Sequence, residues 1–187
     1  MWLSVQLVGW FVAMVVLMSI IEHQVHARLM HKAPRWFLSR RFAARRKIFT
    51  SHAVEHHRQY REHFHDHALP AGEDRGIRLN LTEGLLQAVP VSAGLWCVSA
   101  IAAGMFPLVV LIHHLLWNQI HLEMHQPVGR FFSTWPAYRY VARHHFLHHR
   151  HPDKNFNVAF PVGDWLFRTV ATATDSDRRA MEAEGIA

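Results

Sequence analysis

The sequence predicts an all-α integral membrane protein with about three transmembrane helices and cytoplasmic helices that carry histidine boxes. Half of the 187 residues are hydrophobic, and residues 1–21 contain no charged side chain. As a helix that stretch is about 31 Å long, which matches the hydrocarbon core of a bilayer. A second stretch, 84–122, has no Asp, Glu, Lys or Arg. It is long enough for two short spans, and Gly104 and Pro107 predict the turn between them.

The basic residues predict the orientation in the membrane. Twelve Lys and Arg lie between Glu22 and Gly84, eight follow Glu123, and the N-terminus and the predicted turn have none. Because cytoplasmic loops retain basic residues, we expect a multi-pass protein of the bacterial inner membrane, with its N-terminus outside and both basic blocks cytoplasmic. Topology and anionic headgroups account for the net charge of +6, so no nucleic-acid partner is expected.

The N-terminal segment and the cysteine content limit the class of protein. Residues 1–21 lack the basic start and small-residue cleavage site of a signal peptide, which predicts a retained anchor. The single cysteine, Cys97, excludes an internal disulfide and a thiolate metal site. We expect one domain over residues 1–175 and a dispensable polar tail over 176–187.

Proline and glycine predict the boundaries of the remaining elements. The first helix is predicted to continue to about His31, where Pro34 ends it, and an amphipathic helix is predicted from Arg35 to Lys47. A helix over 50–64 follows, and then a loop with Pro70, Gly72 and Gly76. The two spans reach about His125, Pro127 and Gly129 break the helix, and a further helix runs from Pro136 to about Arg150.

Histidine is the unusual component, with 18 residues. Ten of them form four groups, each with helical spacing just outside a predicted membrane boundary, so that they can face one volume. The groups are His26 and His31; His52, His56 and His57; His121 and His125; and His145, His148 and His149. Ten neutral imidazoles exceed a tetrahedral zinc shell and suit two metals of coordination number five or six. The sequence therefore predicts a dinuclear metal centre.

Two further sets of histidines lie outside these groups. A single histidine at a helix end is usually a surface or interface residue, and His23 is interpreted as a residue that supports the ligands or lies at the interface. His63, His65 and His67 lie in a polar run typical of a solvated loop, and whether they bind metal is left open. Glu62 and His65 have the Glu-x-x-His spacing used by soluble carboxylate di-iron bundles.

The run HHFLHHRHPDKNFNVAFPVGDWLFRT, residues 144–169, combines an HxxHH box with Asn155 and Phe156 and an Asp-x-Leu-Phe-x-Thr segment. With the other histidine groups, it resembles the fatty acid hydroxylase and sterol desaturase superfamily over His26 to Thr169. The resemblance implies a membrane-embedded di-iron oxygenase domain in which the ten histidines bind two iron ions and O2 is a co-substrate. The second box reads HxxxHH here, where the family's usually reads HxxHH. We retain His52 as a ligand because i and i+4 share a helix face, but its role stays open.

The resemblance also implies an activity. It is O2-dependent hydroxylation of a C–H bond in a lipid-like substrate of fatty acyl, sphingoid or sterol type; a carotenoid ring hydroxylase or a lipid desaturase is the alternative. A membrane metal-binding, haem-binding or transport protein is the alternative without enzymatic activity. Electrons are expected from a separate protein of ferredoxin or small haem type. A basic face that includes Arg40, Arg41, Arg45, Arg46 and Lys47 would either dock that donor or contact headgroups.

Several polar residues near the boxes are weaker candidates for metal support or substrate contact. Asn118 and His114 share the helical face of His121 and are expected to point toward the metals or a substrate cavity, although a neutral His114 bonded to a backbone carbonyl is equally consistent. His151 and Asp153 are candidates for orienting ligand imidazoles. Asn155 is a candidate of the same kind, and Asp164 is either such a residue or a helix cap.

Overall fold

The structure, a computed structural model, describes residues 2–33, 43–61, 63–65 and 78–186. Within these ranges every regular element is helical, as predicted. In chain order the elements are α1 (Trp2–Val25), π1 (His26–Met30), α2 (Ala43–Phe49), π2 (Thr50–His56), α3 (His57–Gln59), α4 (Leu81–Trp96), α5 (Ala100–His125), α6 (Pro136–Arg150), α7 (Val162–Phe167) and α8 (Asp175–Ala183).

Two helices are long and apolar enough to cross a membrane. They are the continuous helix Trp2–Met30, made of α1 and π1, and helix α5. Helix α4 has 16 residues, which gives a length of about 24 Å against about 30 Å for the hydrocarbon core. The second of the three predicted spans is therefore present as a helix but is too short to meet the same criterion.

The turn between α4 and α5 lies at residues 97–99, and the predicted turn at Gly104 and Pro107 is wrong. The Ser99 side chain caps α5 by accepting a hydrogen bond from the N–H of Ala102 at 3.3 Å, and this cap fixes where the helix begins. Gly104 and Pro107 both lie inside α5. A proline is tolerated within an apolar helix when neighbouring groups satisfy the freed carbonyl.

Helices α1, α4 and α5 pack together through one apolar core. Met14 and Met18 of α1 lie against Phe106 and Val110 of α5, and Ala88 of α4 joins them. Further along both helices, Glu22 of α1 contacts His113 and Trp117 of α5, so the two helices run in the same direction. The N-terminus and the 97–99 turn consequently lie at one end of the bundle, and the histidine-bearing ends of α1 and α5 lie at the other.

Glycine allows the close approach of α4 to α5. A Cβ atom added at Gly84 would lie 2.3 Å from Nε2 of His114, far inside van der Waals contact. A larger residue at this position would force the two helices apart.

A second core joins the histidine-bearing end of α5 to the C-terminal helices. Its buried members include Trp117, Met124, Val141, Phe146, Val158 and Met181. Met181 belongs to α8, so residues expected to form a dispensable tail are part of the packed structure. Thr174 and Asp177 form a capping box at the start of α8, and Asp177 also accepts hydrogen bonds from Arg150 at 2.5 Å and His151 at 3.0 Å.

The remaining predicted boundaries agree in part. Pro136 begins α6, and Gly129 adopts a positive φ of 76° in the break after α5, as predicted. The helical pattern expected to reach residue 64 ends earlier, because Tyr60 leaves the helical conformation. The end of the first helix at Met30 is close to the prediction, and α2 covers the last part of the predicted amphipathic segment. The other boundary residues, Pro34, Arg35, Pro70, Gly72 and Gly76, lie outside the described residues.

Candidate metal centre

Nine of the ten predicted ligands form two compact groups. We call them the first cluster and the second cluster; within each, one ligand atom per residue lies within 4.8 Å of all the others. The first cluster is His26, His31, His52, His57 and His148, and the second cluster is His56, His125, His145 and His149.

The tenth predicted ligand, His121, lies beside the second cluster. Its Nε2 is 2.9 Å from Nε2 of His145, and its ring centroid is 4.7 Å from that of His125. All ten histidines selected from the sequence are therefore gathered in one region, at one end of the α1–α5 bundle.

The π-helical geometry of π1 explains how His26 and His31 reach one cluster. In an α-helix, residues five apart are rotated by about 140° from each other. In π1 the N–H of His31 instead bonds to the carbonyl of His26 at 3.2 Å, and this i→i+5 bond stacks the two residues on one face. π-Helical turns are rare and occur frequently at functional sites.

The same geometry explains the HxxxHH spacing of the second box. The N–H of His57 bonds to the carbonyl of His52, which directs both side chains to the first cluster, while His56 turns to the second. His52 and His56, which are four residues apart and were expected to share a helix face, therefore belong to different clusters. The additional residue between His52 and His56 is accommodated by π2.

The two clusters share a wall. The rings of His57 and His149 are stacked with centroids 4.5 Å apart, and those of His52 and His56 lie 5.1 Å apart. Each of these pairs has one member in each cluster. The arrangement therefore has the form of two adjacent sites rather than one enlarged site.

Several ligand rings are oriented by backbone carbonyls. Nδ1 of His148 donates to the carbonyl of Lys154 at 2.6 Å and Nδ1 of His125 to that of Phe64 at 2.9 Å; Nδ1 of His26 donates to the carbonyl of Phe156. A carbonyl can only accept, so Nδ1 carries the proton and the Nε2 lone pair faces the cluster. This is the arrangement that proteins use to hold metal-binding imidazoles.

The nitrogens inside each cluster have metal-shell spacing. In the first cluster, Nε2 of His26 lies 2.7 Å from that of His52, and Nε2 of His148 lies 3.1 Å from that of His57. In the second, Nε2 of His145 lies 3.1 Å from that of His149. In a six-coordinate shell with metal–nitrogen bonds of about 2.1 Å, neighbouring nitrogens lie about 3.0 Å apart. The donor set therefore fits metal ions.

Buried nitrogens that lack partners support the same conclusion. Among the described residues, both ring nitrogens of His56 and Nδ1 of His145 and His149 are buried without a hydrogen-bond partner. A buried polar atom left without a partner costs about 1–3 kcal/mol. A metal ion bound at Nε2 of His56 would supply one of the missing interactions.

Burial keeps these imidazoles neutral. Desolvation lowers the pKa of His31 to about 4, and desolvation with the neighbouring His31 and His121 imidazoles lowers the pKa of His57 to about 3. Burial also lowers the pKa of the other cluster histidines outside the candidate spans well below 6.5, namely His52, His56, His145, His148 and His149. Neutral imidazole is the metal-binding form.

Asp164 supports the first cluster through the backbone. Its buried carboxylate accepts from the N–H of Phe156 at 2.8 Å and of Asn157 at 2.7 Å, and from His144 at 2.9 Å. Burial alone would raise the pKa of Asp164, but these hydrogen bonds and one from Thr169 lower it. Asp164 thus holds the backbone of Phe156, whose carbonyl orients His26.

The other predicted supporting residues have different contacts. The Asn118 amide pairs with the backbone of Leu79, at 2.6 and 3.0 Å, instead of facing the metals. His114 donates to the carbonyl of Val110 at 3.0 Å, which is the second of its two expected roles. His151 binds Asp177 rather than a ligand imidazole.

Asn155 and Asp153 also differ from the prediction. Asn155 has a φ of 54°. Its side chain donates to the carbonyl of His144 at 2.8 Å and accepts from the N–H of Ala171 at 2.7 Å, and so joins these two segments. Asp153 is exposed. Asn155 therefore connects two backbone segments and Asp153 lies at the surface, instead of orienting ligand imidazoles.

The polar run after the second box contributes no ligand to either cluster among the described residues. His65 contacts the carbonyls of Met124 and Glu184, at 2.7 and 3.0 Å, and the His63 side chain is 83% exposed. Glu62 and His67 lie outside the described residues. In the basic face, Arg45 donates to the carbonyls of Arg28 and Lys32, whereas Arg40 and Arg41 lie outside the described ranges.

Glu22 and Trp117 are site residues that the sequence reasoning missed. The Glu22 carboxylate is buried beside the centre and accepts from Nε1 of Trp117 at 2.9 Å, and the Trp117 ring lies 4.2 Å from the His121 ring. A signal was available, because a glutamate directly after an uncharged span is costly to bury unless it has partners.

A cavity of about 400 Å³ opens next to the second cluster on the side of α8. Tyr60, Phe64, Phe146 and His149 line it, with Arg61, His63 and Glu184 among its polar residues. His149 is therefore a member of the second cluster that also lines this cavity.

Comparisons with known proteins do not extend this description. No protein-family model, no curated protein and no solved structure matches the chain. The two clusters are consequently the observation from which a function has to be argued.

Proposed function

We propose that the protein is a membrane-bound, O2-dependent di-iron monooxygenase that hydroxylates a C–H bond of a lipid-like substrate. The observation that carries the proposal is the pair of adjacent imidazole clusters, five ligands in the first and four in the second with His121 beside them. Such a donor set suits transition metals of coordination number five or six. The resemblance to the fatty acid hydroxylase and sterol desaturase superfamily supports iron as the metal.

The overall reaction balances with an external reductant. One C–H bond, O2, two electrons and two protons give an alcohol and water. The metal pair, when bound, supplies the capacity to activate O2. The chain's own residues hold the ligand rings through the carbonyls of Phe64, Lys154 and Phe156 and exclude water by burying the imidazoles. A desaturase would use the same centre to form an alkene.

The proposed topology places the clusters on the cytoplasmic side. The bundle end that contains the N-terminus and the 97–99 turn has no Lys or Arg in either segment, which favours the outside. The cluster end continues into the basic segments, where a separate electron-donor protein of ferredoxin or small haem type would bind.

The transport alternative depends on His113 and His114, the two histidines deepest in α5. His113 Nε2 lies 3.3 Å from the Glu22 carboxylate, and His114 bonds to its own helix backbone. Both side chains are thus engaged within the bundle. A metal path along α5 would require these contacts to break, whereas the two clusters need no such rearrangement.

Metal analysis of the purified full-length protein tests the proposal. We expect about two irons per chain and O2-dependent oxidation of the ferrous protein. Replacing His148 or His121 with alanine is expected to abolish activity and reduce iron content while leaving membrane insertion intact. His63→Ala is the matched control, because its side chain is exposed and outside both clusters. One haem per chain, or His148→Ala turning over substrate at the wild-type rate, would contradict the proposal.

Comparative lipid profiling of cells with and without the gene tests the substrate. Accumulation of a non-hydroxylated acyl chain, sphingoid base or sterol in cells lacking the gene is the expected result. A missing double bond would favour the desaturase, and a missing hydroxyl on a carotenoid ring would favour the carotenoid hydroxylase.

A further inference from the structure

Glu22 is a buried carboxylate that connects three parts of the chain. It lies at the cluster end of α1 and is 7% exposed. Its Oε1 accepts from Nε1 of Trp117 and from the N–H of Val158, both at 2.9 Å. Its Oε2 accepts from Nδ2 of Asn157 at 2.9 Å and lies 3.3 Å from Nε2 of His113. One side chain therefore links α1, α5 and the loop after α6.

The first connection leads to the second cluster. The Trp117 indole, held by Glu22, lies with its ring centroid 4.2 Å from that of His121. His121 in turn has its Nε2 2.9 Å from Nε2 of His145. The orientation of the indole therefore limits how the His121 ring can turn.

The second connection leads to the first cluster. Glu22 binds the N–H of Val158 and the side chain of Asn157, the two residues that follow Phe156. The carbonyl of Phe156 accepts from Nδ1 of His26. Glu22 thus holds the short loop that orients a first-cluster ligand.

We propose that Glu22 is a positioning residue that sets both metal sites relative to each other, acting through Trp117 on the second cluster and through the 156–158 loop on the first. This inference rests on the proposed metal centre. Groups that orient ligand rings without binding the metal change metal affinity by about 10-fold to 100-fold when they are replaced.

The contacts require a carboxylate rather than an amide. Glutamine would keep one acceptor for Trp117 and Val158 but would place an NH2 group against Nδ2 of Asn157. The Asn157 amide cannot turn over to compensate, because its Oδ1 accepts from the N–H of Asp164 at 3.0 Å and its Nδ2 donates to the carbonyl of Ser19 at 2.8 Å. Glu22→Gln therefore disturbs the loop connection with little change in side-chain volume.

Glu123 supplies a matched control. It is also a buried carboxylate, on α5, and is 1% exposed. Its partners are the N–H groups of Val128, Gly129 and Arg130 and the Arg130 side chain, all in the turn after α5. Glu123→Gln removes charge from a buried acceptor without touching Trp117 or the 156–158 loop.

The experiment is a metal titration of the full-length protein in detergent. The metal-free wild type and the Glu22→Gln, Trp117→Phe and Glu123→Gln variants are titrated with Co(II), and the dissociation constants and visible absorption bands of both sites are measured. We expect Glu22→Gln to weaken both sites by about 10-fold or more and shift the bands. Trp117→Phe, which keeps a ring over His121 but loses the hydrogen bond, should weaken the second site alone. Glu123→Gln should leave the affinities and bands of both sites as in the wild type.

The outcomes separate this inference from the proposed function. A wild-type protein that binds no Co(II) overturns both, because the metal centre itself is then absent. Two sites in the wild type, with unchanged affinities and bands in Glu22→Gln, overturn the positioning role alone. If Glu22→Gln is recovered only as aggregate, Trp117→Phe decides: wild-type affinity at both sites overturns the inference, and a weakened second site supports it.

Discussion

Removing metal from the two clusters is expected to make the fold sensitive to mild acid. Burial lowers the pKa of His31 to about 4, and burial with neighbouring imidazoles lowers that of His57 to about 3, against an ordinary value of 6.5. Between pH 6.5 and pH 4, these histidines therefore bind protons in the unfolded chain but stay neutral in the folded chain. The stability due to these neutral imidazoles is fully present above pH 6.5 and is lost as the pH falls through that window.

The size of the effect follows from these pKa values. At pH 5.5, one unit below the unfolded pKa, a fully buried neutral imidazole loses about 1.4 kcal/mol relative to high pH. His31 and His57 are both partly exposed, so we take about 1 kcal/mol for each, and the two residues together give about 2 kcal/mol. His52, His56, His145, His148 and His149, whose pKa values burial lowers further, act in the same direction.

Thermal unfolding of chelated and metal-loaded protein in detergent measures this loss. For a chain of this length about 2 kcal/mol corresponds to a fall in Tm of about 4–8 °C, so the chelated protein should lose at least that much between pH 7.5 and pH 5.5. Bound metal keeps the imidazoles deprotonated and should reduce the fall. Asp164, whose pKa is lowered from 3.8, loses its contribution only below pH 4, outside this range. An unchanged Tm in the chelated protein would refute the reasoning.

Three further predictions concern the packing around the centre. Gly84→Ala should destabilise the fold by about 1–3 kcal/mol in an unfolding titration, because its Cβ would lie 2.3 Å from a ring nitrogen on α5; Gly94→Ala on the same helix, with open space around it, should not. Asp164→Asn should weaken Co(II) binding at the first cluster more than at the second, since it loosens the Phe156 backbone. Asp177→Ala should release α8, detected as new cleavage within residues 175–183 by limited proteolysis.

The parts of the fold that depend on local composition could be predicted from the sequence. An uncharged stretch of 21 residues gives a long apolar helix whatever surrounds it, and proline at a first helical position fixed the start of α6 at Pro136. The four histidine groups were found because each is a short-range spacing. The α4–α5 turn was predicted at the wrong place because Gly104 and Pro107 are stronger turn signals in the sequence than Ser99. The start of α5 is instead set by the single hydroxyl of Ser99, which caps the helix.

The supporting contacts could not be predicted because their partners are distant in the chain. Asn118 was expected to face the metals from its position on the helix, but its partner is Leu79, 39 residues away. His151 was expected to orient a ligand and instead binds Asp177, in a segment expected to be a tail. Glu22 is not among the predicted site residues, and its partner Val158 is 136 residues away. Helical periodicity gives the direction of a side chain but not what meets it.

The second and fourth histidine groups each contain a pair of adjacent histidines that contributes one residue to each cluster. Neighbouring residues on a helix point about 100° apart, so an HH pair cannot place both rings on one metal with ease. In the structure both pairs divide: His56 goes to the second cluster and His57 to the first, and His148 goes to the first and His149 to the second. Two adjacent metal sites need segments that reach both of them, so the division of these two doublets supports the proposal of two sites. The doublets His113–His114 and His144–His145 are not divided in this way, because His113, His114 and His144 have partners outside the clusters.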